Sequence, residues 1–142
     1  MNREIKFRGK RVDNGEWVYG NLSIEYDGTT FISFWGSVLL EPENNYKEMM
    51  SFSFDVNPDT IGQYTGLKDK EWKEIYEGDI MGGYPHGSAH VSYNEEYACF
   101  ESRNIDADLE DVNGLFANDL KDCFNEWSVI GNIHDNPELI NE

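Results

Sequence analysis

Polar and apolar residues alternate through most of the first sixty positions. At residues 4–12 (E-I-K-F-R-G-K-R-V), Ile5 and Phe7 fall on one face and Lys6 and Arg8 on the other. A period of two in β-forming residues predicts a strand with one face buried and its cations exposed. Asp13-Asn14-Gly15 is a tight-turn signal, because Asn and Gly tolerate positive φ. The alternation resumes at 16–22, with Trp17 and Tyr19 on a shared face, and runs on to a second hairpin signal at Asp27-Gly28. Residues 29–40 are rich in β-branched and aromatic side chains, among them Thr30, Phe31, Ile32, Phe34, Trp35 and Val38. Gly36 is expected to mark a bulge or the strand's end. Together these forty residues predict an antiparallel meander.

Residues 41–48, polar and containing Pro42, read as a loop, and S-F-S-F-D-V at 51–56 as a strand with Phe52, Phe54 and Val56 on one face. Asn57-Pro58-Asp59 breaks it, since Pro58 lacks a donor and restricts Asn57. The division between two sub-parts, 1–57 and 58–142, is placed there. Beyond it, Ile61, Tyr64 and Leu67 supply apolar positions, and Lys68-Asp69-Lys70 is a charged connection expected to stay out of the core. A short strand at 73–76 leads to Glu77-Gly78-Asp79, whose glycine lets the next strand leave at a new angle. Small barrels need such corners. A loop at 82–88 precedes strands at 89–93 and 97–101 around Asn94-Glu95-Glu96. Leu109, Val112, Phe116, Leu120 and Cys123 have helical spacing, but Asn113-Gly114 costs a helix about 1 kcal/mol there. A short helix over 115–124 is the resulting expectation, followed by a strand at 127–133 and one helical turn from Pro137. The fold class expected is mainly β: the meander, then a small SH3-like β-barrel, with at most one or two short helices near the C-terminus.

Composition adds charge to this picture. The 142 residues hold 28 acids and 11 Lys and Arg, a formal net charge of −17. Arg3, Lys6, Arg8, Lys10 and Arg11 cluster at the start, and acids dominate from Glu95 onward. Direct DNA or RNA binding is disfavoured by such a field, whereas occupation of another protein's nucleic-acid cleft is compatible with it. Asp106, Asp108, Glu110 and Asp111 are the candidate mimic surface, with a plain solvated face as the simpler reading. They lack the D-x-D-x-D-G order of a Ca²⁺ loop. The cations of the first strand could hold phosphate beside Trp17 as a stacking platform, although pairing with acidic neighbours is their plainer role. Apolar runs are only a few residues long, so no membrane-crossing helix is expected. The start Met-Asn-Arg-Glu has no apolar signal region, which leaves the cytoplasm as the expected compartment. Cys99 and Cys123 lack CxxC partners and read as reduced thiols.

No phosphate-binding loop, nucleophile elbow or H-E-x-x-H motif occurs. His86 and His90 have i, i+4 spacing, but Pro85 and Gly87 argue against the helix a shared metal would need. His134 beside Asp135 lacks a nucleophile in sequence, and Glu77 with Asp79 reads as corner structure ahead of metal binding. No catalytic residue, metal or cofactor is therefore assigned.

Four blocks carry a resemblance: R-E-I-K-F-R-G-K-R at 3–11 with W-V-Y-G at 17–20, V-N-P-D-T-I-G-Q-Y-T-G-L-K-D-K at 56–70, K-E-I-Y-E-G-D-I at 73–80, and V-I-G-N-I-H-D-N-P-E-L at 129–139. In this order they resemble the YopX family, whereas residues 24–52 and 82–125 match it little. The resemblance implies a small, mostly-β protein encoded by a bacteriophage or prophage, and it carries no catalytic residue onto this chain. One departure stands out. The family has an Asn-Gly type of turn before its K-E-I-Y strand, and this chain has Glu71-Trp72. Trp72 is poorly suited to positive φ, so it either packs against the barrel wall or stands exposed as a contact residue. The expectation is a non-enzymatic interaction protein that binds itself or a host protein, with Trp72, Glu71 and Trp17 as contact candidates. The alternative is an acidic inhibitor of a host nucleic-acid-binding enzyme.

Overall fold

The computed structural model describes residues 4–83, 87–105, 112–113 and 127–140, and the chain divides into two compact units, Ile5–Gly62 and Gln63 onward. It is mainly β, with antiparallel pairing throughout the described ladders.

In the first unit, β1 (Phe7–Lys10), β2 (Trp17–Ile24), β3 (Thr30–Glu41) and β4 (Tyr46–Asp55) lie in the order β4-β3-β2-β1, the predicted meander. Its alternating apolar face buries Val18, Ile32 and Val56, with Phe7, Leu22, Phe54 and Ile61 packed against them. The break after β4 is fastened to β1: Thr60 Oγ1 accepts the Lys10 N–H at 2.9 Å and donates to the Asn57 carbonyl at 2.6 Å.

Three expectations for this unit are corrected. β4 begins at Tyr46, because Pro42–Asn44 makes one 3₁₀ turn and Asn45, at φ 55°, reverses the chain at once. Gly36 is no bulge: it pairs with Met50 within the ladder, and the irregularity falls between Leu39 and Glu41. A Cβ at Gly36 would stand 3.1 Å from Phe52 Cε2, so the missing side chain makes room for a ring that stacks on Phe34 at 5.5 Å. Arg8, expected on the exposed face, is only 5% exposed because it lies across β2 from Tyr19 with its guanidinium over Trp17.

In the second unit, β5 (Gly62–Lys68) pairs with β6 (Glu74–Tyr76) across a bulge between Tyr64 and Lys68, where Gly66 takes φ 86°. β7 (Asp79–Gly83), β8 (Gly87–Asn94), β9 (Cys99–Asn104), β10 (Val112–Asn113) and β11 (Ser128–Asn132) form a sheet in the order β10-β9-β8-β7-β11. Its core is Ile75, Met81, Ala89, Val91 and Trp127, flanked by Leu67, Phe100 and Val129. A barrel requires the two edges of a sheet to join. Here the order ends at β10 and β11, and among the described residues no sheet closes. Pro137–Leu139 forms the expected single turn, as a 3₁₀ helix. The helix expected at 115–124, His86, Cys123 and the acids Asp106, Asp108, Glu110 and Asp111 lie outside the described residues.

Candidate functional site

The turn joining β5 to β6 is built around one carboxylate. Asp69 Oδ1 accepts the backbone N–H of Glu71 at 2.8 Å and of Lys73 at 2.9 Å, and its Oδ2 accepts that of Val129 at 3.0 Å. The Asp69 N–H donates to the Lys73 carbonyl, the Trp72 N–H to the Asp69 carbonyl, and the Lys70 N–H to the Trp127 carbonyl. Asp69 is 5% exposed, which corrects its expected place outside the core. A carboxylate can be buried when backbone donors fill its lone pairs, and here three do. Burial pushes the Asp69 carboxyl up, but the N–H groups of Val129, Lys73 and Glu71, helped by the Lys73 charge, outweigh it and hold the group below its usual range.

This carboxylate sets the posture of Trp72, which adopts φ 67° and is 80% exposed. Of the two fates open to Trp72, packing against the barrel wall is therefore corrected and exposure is the outcome. The indole does not pack on the sheet, and the residue does take the left-handed conformation. The penalty for a bulky side chain in that region is of order 1–3 kcal/mol, and it persists only where surrounding bonds over-determine the backbone. The six bonds through Asp69, Lys70 and Lys73 do so. The outcome is an indole held away from the core beside the exposed Lys70, Glu71 and Lys73.

The neighbouring corner is structural. Asp79, 1% exposed, accepts the Tyr76 N–H at 2.8 Å, and Gly78 at φ 93° bonds Val91 and Ile133 through its N–H and carbonyl. Trp17, in the first unit, is half-buried under cations of its own sheet, with the Arg8 guanidinium 4.6 Å and the Lys10 ammonium 5.5 Å from the ring centroid. Arg11 covers Phe54 at 4.0 Å and meets the Asp13 carboxylate at 2.6 Å. The strand's cations thus serve rings and an acid of their own unit.

One cluster escaped the sequence reading. Register places His90 opposite Arg103, Ser92 opposite Glu101 and Asn94 opposite Cys99, so these six share one face of the β8–β9 hairpin. Glu101 is 1% exposed, with its carboxylate on Asn94 Nδ2 at 2.9 Å and on the Arg103 guanidinium. His90 lines a cavity of about 260 Å³ with Ile105, Ile133 and Ile140. Burial and the Arg103 charge push its imidazole pKa down against the opposing pull of Glu101, which favours a neutral ring at the cavity wall. Polar residues at every second position of β8 (His90, Ser92, Asn94) were the available signal, since β9 is polar without a break from Glu101 to Asn104; what joins the cluster is the register.

A comparison with curated proteins finds no match. Among solved structures the chain is similar to protein EF1440 from Enterococcus faecalis, known from its crystal structure, with 26% identity, a TM-score of 0.59, and coverage of 99% of this chain and 100% of that one. The YopX protein family's sequence model matches residues 6–141. That span takes in the Asp69–Trp72 turn, the Glu77-Gly78-Asp79 corner and nearly all of the four motif blocks, and the chain belongs to the YopX family.

Proposed function

We propose that this chain is a non-enzymatic interaction protein, encoded by a phage or prophage and acting in the bacterial cytoplasm, that grips a protein partner through the Trp72 corner. The observation carrying this reading is an indole 80% exposed, at φ 67°, on a turn fixed by a buried carboxylate. Tryptophan concentrates binding energy at interfaces because it buries a large rigid surface at little entropic cost. A turn already locked in place loses little further freedom when it docks. The buried carboxylates support the same reading, since Asp69, Asp79 and Glu101 all accept hydrogen bonds from their own fold. The partner is a second copy or a host protein. The net charge of −17 supports the second reading, an acidic mimic that occupies a nucleic-acid cleft of a host enzyme.

Trp72→Gly tests the corner. Glycine accepts positive φ without strain, so the variant is expected to be as stable as wild type or up to about 1 kcal/mol more stable in urea unfolding. It should nonetheless lose the partner that the wild-type chain captures from infected host cells. Equal capture by both chains refutes the corner as the contact. Capture that ignores Trp72 and disappears with rising salt instead supports the mimic, because charge-driven binding is screened within about 10 Å at 0.1 M salt.

A further inference from the structure

Four segments of the second unit meet around the cavity of about 260 Å³: His90 lies on β8, Ile105 just after β9, Ile133 just after β11 and Ile140 just after the last 3₁₀ turn. Backbone bonds hold each wall. The Ile105 N–H donates to the Ser88 carbonyl at 3.1 Å, the Ile133 N–H to the Gly78 carbonyl at 2.9 Å, and the Ile140 N–H to the Pro137 carbonyl at 3.2 Å. His90 is fixed within the sheet, between Ile80 on β7 and Arg103 on β9. The walls therefore stand in place before anything binds, as in most small-molecule sites. Ile140, 37% exposed, lies at the rim.

The lining selects by charge, by hydrogen bonding and by size. Three of the four residues are isoleucines, and the fourth is the histidine whose ring is held neutral. The charges that bear on that ring, the Arg103 guanidinium and the Glu101 carboxylate, bind each other, and Glu101 also accepts the Asn94 amide. An ion entering the cavity would give up its water and meet a charge pair that is already closed. A neutral imidazole offers one donor and one acceptor, and a hydroxyl on the ligand can answer either of them. An apolar cavity of about 150 Å³ stays dry and accepts benzene, so this larger one has room for a body of about two fused rings.

We infer that this cavity binds a small neutral molecule with an apolar two-ring body and one hydroxyl, which hydrogen-bonds the His90 imidazole while the body packs on Ile105, Ile133 and Ile140. Burial of the body against the isoleucines supplies the affinity, and His90 supplies the preference for a hydroxyl. Trp72 does not line this cavity, so the site and the Trp72 corner can fail separately.

Isothermal titration calorimetry of the full chain with naphthol at neutral pH reads the binding, with naphthoate as the charged counterpart of similar body. Wild type is expected to bind naphthol with a Kd of about 100 μM and naphthoate at least about tenfold more weakly. His90→Phe keeps a ring of similar size and removes both polar atoms, so it should weaken naphthol about tenfold. His90→Gln restores a donor and an acceptor and should bind within about threefold of wild type, a rescue that a purely structural role for the ring would not produce. No binding by wild type at about 1 mM naphthol overturns the inference. Equal binding of naphthoate overturns the neutral class, and equal binding by His90→Phe overturns the role of the imidazole. If His90→Phe fails to fold, the imidazole nitrogen resonances of His90 in the wild-type chain decide: naphthol should shift them, and an unshifted ring rejects the site.

Discussion

Asp69→Ala is expected to destabilise the chain by about 3–5 kcal/mol. The substitution removes the acceptor for three backbone N–H groups in partly buried bonds, those of Glu71, Lys73 and Val129, and each donor left unmet costs up to about 1–3 kcal/mol. Asp69→Asn should lose less, about 1–3 kcal/mol, since its amide oxygen can keep the two bonds of Oδ1 while its NH₂ opposes the Val129 donor. Urea unfolding followed by tryptophan fluorescence measures both, and an Asp69→Ala chain as stable as wild type sinks the account. The same carboxylate sets an acid limit. Its folded pKa is lowered, so as pH falls the unfolded chain takes up the proton first. The stability it contributes is complete above the ordinary carboxyl value of about 3.9 and is lost as pH falls through the folded value. Asp69→Ala should flatten that limb. The His90 pKa is also lowered, so stability should already decline gently below the ordinary histidine value of about 6.5, and Asp69→Ala should leave that upper limb in place.

What was legible in the sequence and what was not separates along contact distance. The four strands of the first unit could be read because a half-buried strand writes its burial into every second residue, as Phe7, Val18 and Ile32 do. Arg8 and Gly36 were misread because their surroundings come from across a ladder, Trp17 over one and Phe52 over the other. Asp69 sits between two lysines and looks solvated, yet one of its three donors is Val129, sixty positions along the chain. Trp72 was misjudged for the same reason. Local preference argues against positive φ for tryptophan, and the bonds that overrule it converge on Asp69. The Glu77-Gly78-Asp79 corner was readable from its glycine, whereas the barrel inferred from it depends on pairing between distant edges, and among the described residues those edges do not join. The candidate site was therefore half visible: its unusual residue stood out, and the carboxylate that makes it exposed did not.

Gly20→Ala is expected to cost about 3 kcal/mol or more, lowering the melting temperature by roughly 10 °C. A Cβ at this position would lie 2.2 Å from the Ser33 carbonyl oxygen, 3.0 Å from its carbon and 3.2 Å from Phe34 Cβ. The obstacle is backbone, so no rotamer change relieves it, and β2 would have to move away from β3 where their ladder begins at Asn21↔Ser33. β2 is held from its other side by the Phe7↔Gly20 pair, which leaves little room for that movement. Gly131→Ala is the graded control, since its closest obstacle, at 2.4 Å, is the Asn136 side-chain oxygen. That side chain can swing aside at the expense of its bond from the Asn132 N–H, a loss of about 1 kcal/mol. A Gly20→Ala chain that melts within about 3 °C of wild type refutes the close-approach explanation. The contrast with Trp72→Gly is then informative. Loss of Gly20 should lower stability and every binding readout in proportion, because it acts through folding. Loss of Trp72 should remove partner capture while stability holds or rises, because that side chain is the one the fold itself does not need.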